Sequence, residues 1–158
     1  MPHINEKIDF TIEVFVVYNN KVLLRKHDKY KKWLSVGGHI ELDENPNQAA
    51  IREVKEEIGL DVELFKGDTP LFDLEIGYTE LISPMFLNIH RINPTHEHVE
   101  LVYFATSNTD EIQESKIEKS EECKWFTKEE LDDPSYGINE KIIFYAKKAL
   151  EKLKTTNI

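Results

Sequence analysis

The stretch 37–60, GGHIELDENPNQAAIREVKEEIGL, limits what this chain can fold into more than any other segment. Asn45 can cap a helix, Pro46 suits its first position, and Gly59 can end it in a left-handed conformation. Ala50, Ile51, Val54 and Ile58 form an apolar stripe, so the helix must lie on a core, with its glutamates expected on another side. The glycine pair Gly37 and Gly38, just ahead of the helix, has no side chains and lets backbone approach another group closely.

The flanking segments supply the layer on which that helix can rest. Residues 10–18, FTIEVFVVY, begin in strict alternation and end as a continuous apolar run, the pattern of a strand buried on both faces. Asn19 and Asn20 tolerate the positive φ of a two-residue hairpin, with 21–26 as the return strand and the basic run 26–32 as an exposed loop. Further strands are expected at 33–40, 60–66, 71–76, 81–89 and 99–106, the fourth of these edge-like or bent at Pro84. Polar residues and asparagine-proline punctuation make 90–98, HRINPTHEH, a loop, and 108–122 reads as a charged surface excursion. CKWFT at 123–127 returns to the sheet. Thr127 and Glu130 then form a capping box, and 138–153 is an amphipathic helix with Ile138, Ile142, Ala146, Ala149 and Leu153 inward.

A chain of 158 residues can bury a core without disulfides, and a single domain over 1–158 is expected. The lone Cys123 sits in an apolar context and reads as a small core residue. No apolar run approaches a membrane span, the N-terminus lacks the order of a secretory signal, and the expected location is the cytoplasm. A formal net charge of −10 argues against duplex nucleic acid as a partner, since phosphate binding relies on basic patches. A phosphorylated small molecule remains compatible, because divalent cations can bridge two sets of negative charge.

The helix carries Glu53, Glu56 and Glu57 at spacings of three and four, which makes Glu53 a neighbour of both others. The bland reading is a solvated acidic face. It carries a penalty: each close pair repels by about 0.2–0.5 kcal/mol, and Glu56 and Glu57 also approach the negative end of the helix dipole. Arg52 offsets part of this through its i,i+4 contact with Glu56. A hard cation with oxygen ligands explains the arrangement better.

Gly38, Glu44, Arg52, Glu53, Glu56, Glu57 and Gly59, with apolar Val54, Ile58 and Leu60 at their intervals, resemble the Nudix box at every defined position. At ordinary residue usage those identities would coincide at a given start with a probability of roughly 10⁻⁸. Trp33, Ile40 with Glu41, and WFTKEEL at 125–131 extend the likeness loosely; Val36 stands where such proteins often carry proline. The resemblance implies an α/β fold with a mixed sheet sandwiched between helices. It further implies hydrolysis of a diphosphate linkage in a nucleoside diphosphate derivative, with Mg2+ or Mn2+ as cofactor, and frequent homodimers.

On that resemblance Glu56 and Glu57 are principal metal ligands, Glu53 is a further ligand or the base, and Gly37 offers its carbonyl. Gly38 keeps the backbone approach open, Arg52 orients a glutamate, Glu44 braces the loop and Gly59 ends the helix. A further acid or base is expected beyond the box, with Glu97 preferred slightly over Glu100. Arg25, His96, His98 and Tyr78 are candidate substrate contacts. Zinc at His90, His96 and His98 is disfavoured, because no cysteine accompanies them and nothing in the sequence makes them converge. Trp33, Tyr78, Tyr103 and Phe104 could stack on a base, although packing is the commoner role for such residues. The substrate expected first is a nucleoside triphosphate such as an oxidised purine nucleotide. ADP-ribose or another nucleotide sugar comes next, then a dinucleoside polyphosphate, for which the position of Tyr78 resembles one subgroup's marker. A sensor that binds nucleotide without cleaving it is the alternative of another class.

Overall fold

The alternating segment near the start becomes strand β1, Ile8–Tyr18, and the sheet is assembled on both of its edges. The computed structural model describes residues 3–70, 72, 75–114 and 122–156. After β1 come β2 (Lys21–Lys26), β3 (Trp33–Leu34), β4 (Val36–His39), α1 (Pro46–Ile58) and β5 (Val62–Leu64). They are followed by β6 (Phe86–Asn93), β7 (His96–Ser107), β8 (Glu122–Phe126), α2 (Lys128–Leu131) and α3 (Glu140–Lys152).

One edge of β1 pairs in parallel with β7, from Ile8 opposite Glu97 to Val17 opposite Thr106. The other edge is shared. Its end joins β2 through Asn19 and Asn20, both at positive φ (48° and 60°) as a tight hairpin requires, while Thr11 to Val14 pair antiparallel with β4. Beyond β7 lie β6 and β5, and β2 also pairs with β3 and β8. The sheet is therefore mixed.

Side-chain alternation along β1 divides the core into two layers. Ile12, Val14 and Val16 pack with Ala49, Ala50, Val54 and Ile58 of α1. Phe15 and Val17 pack with Ile142, Ala146, Ala149 and Leu150 of α3 on the opposite face. This is the expected sheet between helices. Trp33, Tyr103 and Phe104 are buried, which assigns them to packing, and half-buried Cys123 packs against the α1 layer.

Three sequence expectations change. Residues 90–98 are not a loop: β6 runs through Asn93, Asn93 Oδ1 accepts from the Thr95 N–H at 3.0 Å in a tight turn, and β7 begins at His96. The histidines that suggested solvent instead gather around Asp9, brought alongside by β1, with His96 Nε2 3.4 Å from Asp9 Oδ2. Strand 81–89 is displaced to Phe86–Asn93, which leaves Pro84 outside the ladder, where its missing N–H breaks no bond. Of 71–76, residues 71, 73 and 74 lie outside the described residues, and Glu75 makes only a bridge to Tyr78 across Gly77.

Candidate active site

Local chemistry sets the limits of α1 as anticipated. Asn45 Oδ1 accepts from the Gln48 N–H at 3.0 Å, and Gln48 Oε1 accepts from the Asn45 N–H at 2.9 Å. Gly59 closes the helix at φ 71°, donating to the Lys55 carbonyl at 3.0 Å. Its buried face differs from the expected stripe. Ile51 is 44% exposed, whereas Glu53 and Glu57 are only 2% and 3% exposed.

The glycine pair explains that exchange. A Cβ on Gly38 would overlap the Glu53 carboxylate, and a Cβ on Gly37 would overlap the Ile12 carbonyl across the β1–β4 ladder. Without side chains, β4 becomes a flat surface on which two acids can lie. The Gly37 N–H faces Glu57 Oε2 at 3.4 Å. Glu56 points outward, with its side chain 60% exposed.

Arg52 ties this acidic face together. Its Nε and Nη2 donate to the two Glu44 oxygens at 2.9 and 2.7 Å, a bidentate pair. Nη1 donates to Glu53 Oε1 at 3.0 Å and Glu56 Oε2 at 3.1 Å, and Nη2 also reaches the His39 carbonyl at 3.1 Å. Glu44 in turn accepts from the Glu41 N–H at 2.9 Å. Hydrogen bonding to Glu44 raises the Arg52 pKa further above its ordinary value, and the bond from Arg52 lowers that of Glu44.

Glu57 opens onto a cavity of about 600 Å³ that is also lined by Gly37, Gly38 and Arg25. Arg25 Nη1 lies 3.4 Å from Glu57 Oε2, both side chains being nearly buried. His27, Asp28 and Lys29, from the basic loop, contribute to the rim. Two more carboxylates face the same space, Glu13 from β1 and Glu100 from β7. Burial, and then the Glu100 charge, push the Glu13 carboxyl up to about 7, against the Ser35 hydroxyl that donates to it at 2.7 Å.

The structure thus sorts the sequence candidates. Arg25, Gly37, Gly38, Glu57, His98 and Glu100 line one cavity, with Glu53 directly behind Gly38. Glu97 lies outside that lining, its N–H bonded to the Lys7 carbonyl at 2.8 Å. His96 is buried beside Asp9, and Tyr78 is an exposed residue bonded to Glu80 at 2.6 Å, away from the cavity lining. Burial, then the nearby histidines, push the His98 imidazole down to about 4. Glu13 and His39 line the cavity without having been singled out in the sequence. The available signal for Glu13 was one carboxylate inside an otherwise apolar strand.

A family model for the NUDIX domain matches residues 10–146. The chain belongs to the Nudix family of hydrolases. Among solved structures, a NUDIX-family hydrolase from Clostridium perfringens is 38% identical, with 92% of this chain and 98% of that one covered at a TM-score of 0.80. An ADP-ribose pyrophosphatase from Streptococcus suis shares the fold at a TM-score of 0.55 and 18% identity, over 94% of both chains. The dihydroneopterin triphosphate diphosphatase of Haemophilus influenzae is 38% identical over 78 residues, 49% of this chain and 48% of that enzyme. The chain therefore matches about half the length of that curated relative.

Nudix enzymes generally work with a divalent metal. The donor set here fits one: the buried carboxylates of Glu53 and Glu57 lie against the glycine pair of β4, the outward Glu56 shares Arg52 Nη1 with Glu53, and all donors are hard oxygens. Among the described residues no helix is long and apolar enough to cross a membrane.

Proposed function

We propose that this Nudix protein hydrolyses a nucleoside triphosphate, or a related heterocyclic triphosphate, to the monophosphate and pyrophosphate. The observation that carries the reading is Glu57, backed by Glu53, buried against the glycine pair in a cavity that Arg25 and Lys29 also line. Carboxylates and cations lining one cavity suit a metal-bridged polyphosphate. The Haemophilus influenzae relative acts, by its name, on a triphosphate, which favours this substrate class over a nucleotide sugar.

Glu53, Glu56 and Glu57, with the Gly37 carbonyl, would hold Mg2+ or Mn2+. The bound cation supplies charge neutralisation at the diphosphate and lowers the proton affinity of the attacking water. Arg25 binds a phosphate oxygen, and His27 and Lys29 extend that contact toward the rim. Arg52 acts as a positioning residue, holding Glu53 and Glu56 in place through Glu44. Glu100, rather than Glu97, takes the water's proton, because it shares the cavity with Glu57 and lies beside Glu13, which carries a proton near neutrality. The same reading assigns the protein a small-molecule partner and a cytoplasmic location.

The test is incubation of the purified protein with Mg2+ and a panel of nucleoside triphosphates, dihydroneopterin triphosphate and ADP-ribose, followed by product analysis. Monophosphate and pyrophosphate from a triphosphate are expected. Turnover confined to ADP-ribose would replace this substrate class, and ligand binding without turnover would favour a sensor.

A further inference from the structure

A second constellation lies beside the cavity and contains none of the box glutamates. Asp9 is 1% exposed at the start of β1, and histidines from three segments surround its Oδ2. His3 Nδ1 stands at 3.4 Å, His96 Nε2 at 3.4 Å and His39 Nε2 at 3.0 Å. His98 joins them: ligand atoms of His3, Asp9, His96 and His98 all lie within 4.8 Å of one another.

Hydrogen bonding around the group leaves its centre unsatisfied. His96 Nδ1 lies 3.0 Å from the Glu6 carbonyl, which can only accept, so Nδ1 carries the proton. In the neutral ring Nε2 is then a lone pair, buried and directed at a carboxylate oxygen that is also an acceptor. His98 Nε2 is likewise buried without a hydrogen-bond partner, and His39 Nε2 lacks the alignment for a bond to Asp9 despite its short distance. Lone pairs facing a carboxylate in a buried site are unfavourable unless a cation stands between them.

The surroundings have the form of a metal site's outer layer. Asp9 is oriented by the Asn5 N–H on Oδ1 at 2.6 Å and the Ile4 N–H on Oδ2 at 3.0 Å, and His96 is oriented by the Glu6 carbonyl. Tetrahedral Zn2+ with ligands near 2.0–2.1 Å places donor atoms about 3.3 Å apart. The Asp9–His3 and Asp9–His96 separations already match that edge. Three imidazoles and one carboxylate suit a borderline-soft ion better than Mg2+.

We propose that His3, Asp9, His96 and His98 form a structural binding site for a zinc-class divalent cation, which fastens the N-terminal segment to β1 and β7. With four protein ligands the site is closed, as structural zinc sites are. Its histidines include the pair whose convergence could not be anticipated from sequence, since His3 and Asp9 supply the remainder.

Metal-stripped full-length protein titrated with Co2+ tests this, because cobalt absorbs strongly in tetrahedral nitrogen-rich sites and weakly in octahedral oxygen sites. One equivalent should produce intense visible bands that Zn2+ removes. His3→Ala, at an exposed side chain, should weaken Co2+ and Zn2+ binding by at least about tenfold while the protein stays folded. Glu57→Gln should leave the bands unchanged, which separates this site from the proposed catalytic one. Weak bands only, unchanged binding in both His3→Ala and His98→Ala, or bands abolished by Glu57→Gln would each overturn the proposal; a cluster held by a shared proton would give the first of these.

Discussion

The carboxylate of Glu53 occupies the space that a Cβ on Gly38 would fill. Strand and helix are thus fitted to each other at one residue pair, and the acid cannot stay in place if the glycine changes. Gly38→Ala should destabilise the protein by about 1–3 kcal/mol, the usual penalty for overpacking. Turnover should fall on the order of 10²-fold, because a displacement of about an ångström is enough. Urea unfolding and steady-state kinetics check both figures, and wild-type turnover in a folded Gly38→Ala protein would remove Glu53 from the site.

Arg52 joins Glu44, Glu53 and Glu56 through a planar fork that lysine cannot reproduce. Arg52→Lys should therefore lose the bidentate pair and reduce stability by about 1–2 kcal/mol. In a double-mutant cycle with Glu44→Gln, the two changes should be coupled by about 0.5–3 kcal/mol, as expected for contacting residues. Additive effects in denaturant titrations would contradict the clamp.

Glu13 supplies a pH dependence whose sign follows from its environment. Its carboxyl titrates near 7 in the fold against 4.5 ordinarily, so between those values the native state binds more protons than the unfolded chain. Stability should then fall as pH rises through that window, and the loss should be complete above about 7. Glu13→Gln should flatten this component. Denaturant midpoints measured across the window in the presence of a chelator give the comparison; an unchanged slope would place the perturbation elsewhere.

At α2 the sign is reversed. A hydrogen bond from Lys124, followed by the Thr127 backbone N–H, holds the Glu130 carboxyl down to about 2. Its contribution should be present above 4.5 and lost as pH falls toward 2. Thr127→Ala, which removes the other half of the capping box, should cost about 1 kcal/mol by thermal unfolding at neutral pH.

Features set by neighbours in the chain could be read from sequence, and features set by a partner strand could not. Asn45, Pro46 and Gly59 bound α1 because capping uses groups within a few residues, and Asn19 with Asn20 closed the hairpin for the same reason. The burial of Glu53 and Glu57 depends on β4, whose glycines turn an acidic helix face into a packed one. Glu13 owes its raised proton affinity first to burial in the assembled sheet and then to Glu100, which β7 brings beside it. The stretch 90–98 reads as a loop because its residues are polar and punctuated by asparagine-proline, yet Asp9 on β1 gathers His96 and His98 into the sheet. Box spacing therefore identified the family, while the composition of the cavity required the sheet.

The most direct measurement is Mg2+-dependent pyrophosphate release by Glu57→Gln alongside the unaltered protein, on the best triphosphate substrate. Turnover should fall by about 10²-fold or more, with the unfolding midpoint close to that of the parent. Near-normal turnover in the folded variant would contradict the assignment of Glu57, and with it the proposed catalytic centre.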